Sequence, residues 1–321
     1  MARFKTVVTA PMREEGLRLL EEESDVVVLP KLPSEQELKE FVRDADALLV
    51  TLNVEKVTKD VIDSAQRLKV IARHGVGYDN VDVEAATAKH IWVTTAPVLN
   101  ETVADQAFAL ILSLARRICE SSYHVKSKRW VKRDPMLFVG TDVWGKTIGI
   151  IGLGRIGYSI AERAKGFKMN PIYYDVVRKM ELEETMRIQY KSMNELLKES
   201  DFVVVSCSLT DETRGLLGED ELRKMKKTAY LINVARGPIV DHLALVKALK
   251  EKWIAGAGLD VYYQEPLPLD DPILAFENVL LTPHLASNTI ECRKMMAITA
   301  AQEIIRVLRG QRPMYAVNTI Q

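Results

Sequence analysis

Thr147-Ile148-Gly149-Ile150-Ile151-Gly152-Leu153-Gly154-Arg155-Ile156-Gly157 decides how this chain is read. Residues 147–151 are an apolar, largely β-branched run of strand length. The glycines that follow have the spacing G-x-G-x-x-G, and a helical pattern covers residues 156–167. Strand, glycine turn and helix together make the phosphate-binding start of a dinucleotide-binding βαβ unit. Gly152 lets the chain turn sharply, Gly154 leaves room for a pyrophosphate, and Gly157 lets the helix pack close to the sheet. The helix N-terminus then turns its free N–H groups toward the phosphates. A second strand, residues 172–174, ends in Asp175, about 20 residues on, where a carboxylate accepts the ribose 2′-OH. An acid there favours NAD; Arg178 nearby keeps NADP open as the lesser alternative.

The motif lies in mid-chain, so residues 1–146 must build something else first. Within them, strands are expected at 5–10, 26–29, 47–51, 70–73 and 91–95. Helices are expected at 14–22 and 35–43, the latter capped by Ser34 with Glu37 in the capping-box position. This alternation implies a parallel sheet covered on both faces. After Pro97 an apolar helix is expected over 101–117. Its aliphatic residues almost encircle it, which requires burial inside the protein or at a subunit interface. A polar, basic stretch fills 121–141. Further strands are expected at 148–151, 172–175, 202–206, 229–234, 256–261 and 279–282, and a last helix over 289–309 is long enough to return to the first domain. The expected fold class is therefore α/β with two doubly wound parallel-sheet domains. A Rossmann NAD-binding domain, residues 99–289, is inserted into a flavodoxin-like substrate domain, residues 1–98 plus 290–321.

Composition bounds the function. The 321 residues are 47% hydrophobic and 27% charged with zero formal net charge, which suits a globular chain and argues against a general nucleic-acid surface. The basic run at 126–133 reads as a solvated segment. The three cysteines, Cys119, Cys207 and Cys292, are far apart and form neither a disulfide framework nor a metal site. No leader segment and no apolar run of membrane-spanning length is evident, so a cytoplasmic protein without membrane partners is expected.

In open parallel sheets ligands bind beyond the carboxyl ends of the strands. Arg236, Glu265 and His284 each follow such an end. Reducing a 2-oxo acid needs a carboxylate clamp, a proton donor and a group that orients the donor. Arginine offers a fork that matches a carboxylate, histidine transfers protons near neutral pH, and glutamate fixes the imidazole tautomer. Asp260 is a candidate acceptor for a nicotinamide carboxamide. Arg73-His74-Gly75-Val76-Gly77-Tyr78-Asp79-Asn80 follows a strand of the first domain. Its backbone could form an anion nest for a substrate carboxylate, or it could be a tight turn capped by Asp79 or Asn80. Arg73 and His74 add charge of the kind a phosphorylated substrate would require. Leu52, Asn53, Leu99 and Asn100 complete the candidate substrate pocket.

These motifs resemble the D-isomer-specific 2-hydroxyacid dehydrogenase family over essentially the whole chain. The resemblance rests on the 152–157 glycines, Asn233-Val234-Ala235-Arg236-Gly237, Gly258-Leu259-Asp260-Val261 through Glu265-Pro266, and Thr282-Pro283-His284-Leu285-Ala286-Ser287. The 3-phosphoglycerate dehydrogenase and glyoxylate/hydroxypyruvate reductase branches are the most similar. The resemblance implies interconversion of a D-2-hydroxy acid and its 2-oxo acid, with Arg236, Glu265 and His284 as catalytic residues. It implies cofactor contacts at Gly152, Gly154, Arg155, Ile156, Gly157, Asp175, Ser208, Thr213, Val234, Ala235, Asp260, His284 and Ser287. Substrate contacts are implied at Arg73, Val76, Gly77, Asn100, Arg236 and His284, with no metal, and a homodimer held around the 101–117 helix. The loop after Phe202 departs from the family's His-x-Pro-Leu-Thr, reading Ser206-Cys207-Ser208-Leu209-Thr210. A second reading on the same fold is an NAD(H)-sensing protein like the corepressors that share it.

Overall fold

The computed structural model describes residues 3–52 and 54–320. The chain divides into two compact units, Met1–Leu99 with Ser287–Gln321, and Asn100–Ala286.

The first unit opens with β1 (Phe4–Val8), α1 (Glu14–Glu23), β2 (Ser24–Val28), α2 (Glu35–Val42), β3 (Ala47–Val50), α3 (Lys59–Ser64), β4 (Val70–Arg73), α4 (Val83–Ala88) and β5 (Trp92–Thr94). Its five strands are parallel in the order β2-β1-β3-β4-β5, the flavodoxin-like arrangement. Alternate strand residues feed two cores: Val7, Leu48, Val50, Ile71 and Val93 face α2 and α3, while Val8, Leu49, Val70 and Ala72 face α1 and the chain's last helix. Ser34 and Glu37 form the expected capping box. Helices α3 and α4 were not among the expected elements; at six residues each they are too short for a helical period to register. The cap of α4 is Asp82, whose carboxylate accepts from Ala85 N, rather than Asp79 or Asn80.

The second unit contains α5 (Asn100–Ala115), α6 (Ile118–Lys126), β6 (Thr147–Ile151), α7 (Arg155–Gly166), β7 (Asn170–Tyr174), α8 (Met180–Met186), β8 (Gln189–Tyr190), α9 (Met193–Glu199), β9 (Phe202–Val205), α10 (Glu219–Lys224), β10 (Tyr230–Asn233), α11 (His242–Lys250), β11 (Gly256–Leu259) and β12 (Val279–Leu281). Its seven parallel strands run β12-β11-β10-β9-β6-β7-β8, the Rossmann order with one strand added beyond the sixth. Helix α5 is buried within its own unit through Ala107, Leu110 and Ile111, against β10, β11 and α7. The segment expected to be a polar stretch from Ser121 begins as α6. Helix α12 (Ile290–Leu308) then returns to the first unit, packing on α1, and the tail pairs along β5, with Val317 N donating to Val93 O at 2.7 Å.

Close packing at the β6–α7 turn depends on glycine. A Cβ on Gly157 would lie 2.2 Å from Gly152 O. Gly157→Ala is therefore expected to destabilise the protein by roughly 1–3 kcal/mol. Urea denaturation measures this, and wild-type stability in the variant would show that the turn has slack.

Candidate functional site

The β6–α7 turn meets the steric demands of a pyrophosphate cradle. Gly152 has φ +93°, a conformation that L side chains rarely adopt, and a Cβ there would strike the Cys207 backbone at 2.6 Å. A Cβ on Gly154 would meet nothing within 4 Å, so its side of the chain is open. No side chain caps the first turn of α7, which starts at Arg155 and Ile156, and its amide donors are left for an anion. The residues present thus fit a dinucleotide. Asp175 follows β7 directly, its Oδ2 accepting from Leu153 N at 2.8 Å and its Oδ1 from Val177 N at 3.2 Å, which holds the carboxylate beside the glycine turn. Arg178 is paired with Glu183.

The loop from Ser206 to Thr213 is stitched by hydroxyls. Ser206 Oγ donates to Gly152 O at 2.8 Å, and Thr213 Oγ1 donates to Ser208 O at 2.7 Å. Val234 and Ala235 are buried at the end of β10, and Ser287 is half-buried at the start of the returning segment. Asn100 Nδ2 donates to Glu101 Oε1 at 2.8 Å and to Ser159 Oγ at 3.1 Å, tying α5 to α7.

Glu265 and His284 are brought together, with Arg236 close enough for its charge to act on Glu265. His284 Nδ1 lies 2.6 Å from Glu265 Oε2, and Glu265 Oε1 accepts from Tyr262 N at 3.1 Å. Burial pushes the Glu265 carboxyl up, but the hydrogen bond and charge of His284, the Tyr262 N–H and the Arg236 guanidinium outweigh it and hold the group below the usual carboxylate range. Asn233 braces the Arg236 turn, donating from Nδ2 to Arg236 O at 2.9 Å and accepting from Ala235 N at 3.1 Å. Arg236 Nη1 donates to Ala235 O at 2.8 Å.

Asp260 is 1% exposed. Its oxygens take Thr282 Oγ1 at 2.6 Å, Leu285 N at 3.0 Å and Ala286 N at 2.9 Å, so the carboxylate fixes the turn that presents His284. Two further positioning groups escaped the sequence. Tyr262 OH donates to Thr282 O at 2.9 Å and lies 3.2 Å from Leu259 O. His242 Nε2 meets Asp271 Oδ2 at 3.0 Å, and Tyr263 OH donates to the same oxygen, anchoring the loop that carries Glu265. These bonds run through backbone atoms and loop residues that follow no periodic or motif spacing.

In the first unit the 73–80 loop is arranged differently from a charged pocket. Arg73 is 1% exposed, with Nη1 donating to Val50 O at 2.8 Å and Nε to Gly77 O at 3.0 Å. Its guanidinium therefore holds the loop together from beneath. His74 is buried, and among the described residues neither ring nitrogen has a partner at hydrogen-bond geometry. Val76 is exposed. Asn53 lies outside the described residues. Among the described residues, no group of three or more His, Cys, Asp or Glu side chains is placed to hold a metal ion, and no helix is long and apolar enough to cross a membrane.

Residues 108–286 match the family model of the D-isomer specific 2-hydroxyacid dehydrogenase, NAD binding domain. A glyoxylate reductase of Korarchaeum cryptofilum is 46% identical over 98% of this chain and 96% of that protein. The crystal structure of a Thermus thermophilus protein superposes with a TM-score of 0.92 at 38% identity, covering 98% of this chain and 100% of that one. An NADPH-dependent glyoxylate/hydroxypyruvate reductase of Sinorhizobium meliloti, solved with NADP and malonate, gives a TM-score of 0.89 at 30% identity over 98% and 97% of the two chains. The chain belongs to the D-isomer specific 2-hydroxyacid dehydrogenase family. It is an NAD(P)-dependent oxidoreductase of that family.

The buried His74 makes a pH prediction. Burial, then the charges of Arg293 and Arg73, lower its pKa from 6.5 to about 4. A histidine depressed in the folded state stays neutral there while the unfolded chain takes up a proton. Its contribution to stability is thus complete above pH 6.5 and is lost as pH falls toward 4. Between about pH 7.5 and about pH 5 the wild type should lose about 2 kcal/mol more than His74→Phe. Denaturant titrations at both pH values test this, and parallel losses in the two proteins would contradict it.

Proposed function

We propose that this enzyme reduces glyoxylate and similarly small 2-oxo acids to the 2-hydroxy acids, using NADH in preference to NADPH. The observation that carries the reading is the 2.6 Å His284–Glu265 pair at the carboxyl ends of the last two strands. When bound, the nicotinamide supplies the hydride that adds to the 2-carbon of the acid. His284 gives the proton to the 2-oxygen through Nε2, while Nδ1 keeps its proton toward Glu265, which is ionised at neutral pH and stabilises the imidazolium before transfer. In the reverse direction the same nitrogen removes the hydroxyl proton. Arg236, on a turn braced by Asn233, clamps the substrate carboxylate. Gly152, Gly154, Gly157, Arg155 and Ile156 hold the pyrophosphate, Asp175 the ribose diol, and Ser208, Thr213, Val234, Ala235 and Ser287 the remainder of the cofactor. Val76 and Gly77 offer backbone N–H groups to the acid. The Asp175 carboxylate beside the glycine turn supports NAD, because it accepts from a diol and repels a 2′-phosphate. A phosphorylated substrate is less well supported: Arg73 is buried with Nη1 and Nε turned to main-chain carbonyls, and His74 is neutral at pH 7.

The test is a panel of glyoxylate, hydroxypyruvate, pyruvate and 3-phosphohydroxypyruvate with both nucleotides. Turnover is expected with the first two, at higher kcat/KM with NADH. His284→Ala should lose about 10²–10⁴ in kcat while binding NADH normally; wild-type turnover in that variant would remove His284 from the chemistry.

The second unit exposes a belt of apolar side chains around α6 and the segment after it, among them Tyr123, Trp130, Val131, Met136 and Trp144. Exposed apolar side chains in this number support an interface, and we infer a homodimer joined there. Sedimentation should give a dimer, and Val131→Asp should shift it toward monomer; a monomeric wild type would refute the assignment.

A further inference from the structure

The turn after β7 carries a charged cluster that the reaction does not use. Arg178 donates from Nε to Glu183 Oε1 and from Nη2 to Glu183 Oε2, both at 2.8 Å, a bidentate pair. Glu183 Oε1 also accepts Tyr173 OH at 2.8 Å, and that hydroxyl oxygen in turn accepts from Lys179 N at 2.7 Å. Tyr173 is fully buried in β7, so Glu183 is anchored to the sheet itself. The Arg178 guanidinium lies 5.5 Å from the centre of the Tyr190 ring, a second restraint on the same side chain. The Glu183 side chain is 17% exposed, against 57% for Arg178. The glutamate is therefore the fixed partner, and the arginine is held to it.

We propose that Glu183 is a cofactor-discrimination residue: its bidentate hold on Arg178 withholds from the ribose site the cation that a 2′-phosphate requires. The inference rests on the reading of Asp175 as the ribose acid. A phosphate monoester carries about −1.5 to −2 charge at neutral pH. It would meet an Asp175 carboxylate pinned by Leu153 N and Val177 N, which cannot swing aside without losing both bonds. Arg178, three residues on, is suited by charge and fork geometry to offset that repulsion. To do so it must leave two charge-assisted hydrogen bonds and strip a partly buried carboxylate of its counter-charge. The nucleotide is thus selected twice, by repulsion at Asp175 and by sequestration at Glu183.

Fluorescence titration of NADPH and NADH tests this without turnover, with kcat/KM for both nucleotides as a second readout. Glu183→Gln keeps an oxygen for Tyr173 OH but loses the charge and the second acceptor. It should tighten NADPH binding about three- to tenfold and leave NADH within about twofold. Arg178→Ala in that background should cancel the gain. Arg178→Ala alone should leave NADPH binding unchanged, since the arginine is not in use. An unchanged NADPH/NADH ratio in Glu183→Gln, a gain that survives Arg178→Ala, or weaker NADPH binding in Arg178→Ala alone would each overturn the proposal. Those results leave the preference for NADH standing. A wild type that binds NADPH better than NADH refutes the Asp175 reading itself, and the sequestration argument goes with it.

Discussion

All seven strands of the second unit run parallel, and a parallel sheet ends every strand on one edge. The chemistry of the unit follows from that constraint. The ladder pairs Asn233 with Leu259 and Leu259 with Leu281, so the last residues of β10, β11 and β12 stand in one row. Arg236, Glu265 and His284 leave from that row within a few residues of one another. On the other side of β9, β6 ends in the glycine turn and β7 in Asp175, where the strand order reverses. No loop has to travel far to deliver its side chain, and short loops can be held rigidly.

Rigidity comes from buried polar groups that do not themselves react. Asp260 is a carboxylate out of water, a costly placement unless its lone pairs are taken. A threonine hydroxyl and two backbone N–H groups take them, all from the His284 turn. Tyr262 works from the other side, giving its N–H to Glu265 and its hydroxyl to Thr282 O. The backbone of Tyr262 also sits where a Cβ on Gly237 would fall, at 1.9 Å, so the Arg236 turn rests on it. One residue therefore touches all three turns. Preorganisation of this kind keeps the His284–Glu265 distance fixed before any substrate arrives.

The first-order architecture was legible because it is written in local patterns. Apolar runs marked the long-range sheet strands to within two residues, the glycine spacing marked the phosphate turn, and the Ser34–Glu37 box marked a helix start. Arg236, Glu265 and His284 were legible as residues that follow strand ends. The two-residue β8 and the six-residue helices α3 and α4 were not, because a strand of two residues shows no alternation and a helical period needs more length to show. Nor were Tyr262, Asp271 and the inward turn of Asp260 legible as positioning groups. Their partners are main-chain atoms or residues up to 29 positions away, and the loops between have no period. The burial of Arg73 and His74 was not legible for a related reason: residue type gives formal charge, whereas burial and carbonyl partners decide how that charge is used.

The Ser206-Cys207-Ser208 segment packs directly against the glycine turn. The φ of +93° at Gly152 brings the β6 turn so near this loop that a Cβ there would fall 2.6 Å from the Cys207 Cα. The approach requires glycine at 152, and Ser206 adds a hydrogen bond to Gly152 O. Burial pushes the Cys207 thiol up to about 11, so it stays protonated at neutral pH and acts as a small apolar filler rather than a nucleophile. The loop is thus held against the glycine turn by close backbone packing at Cys207 and by the Ser206 hydroxyl.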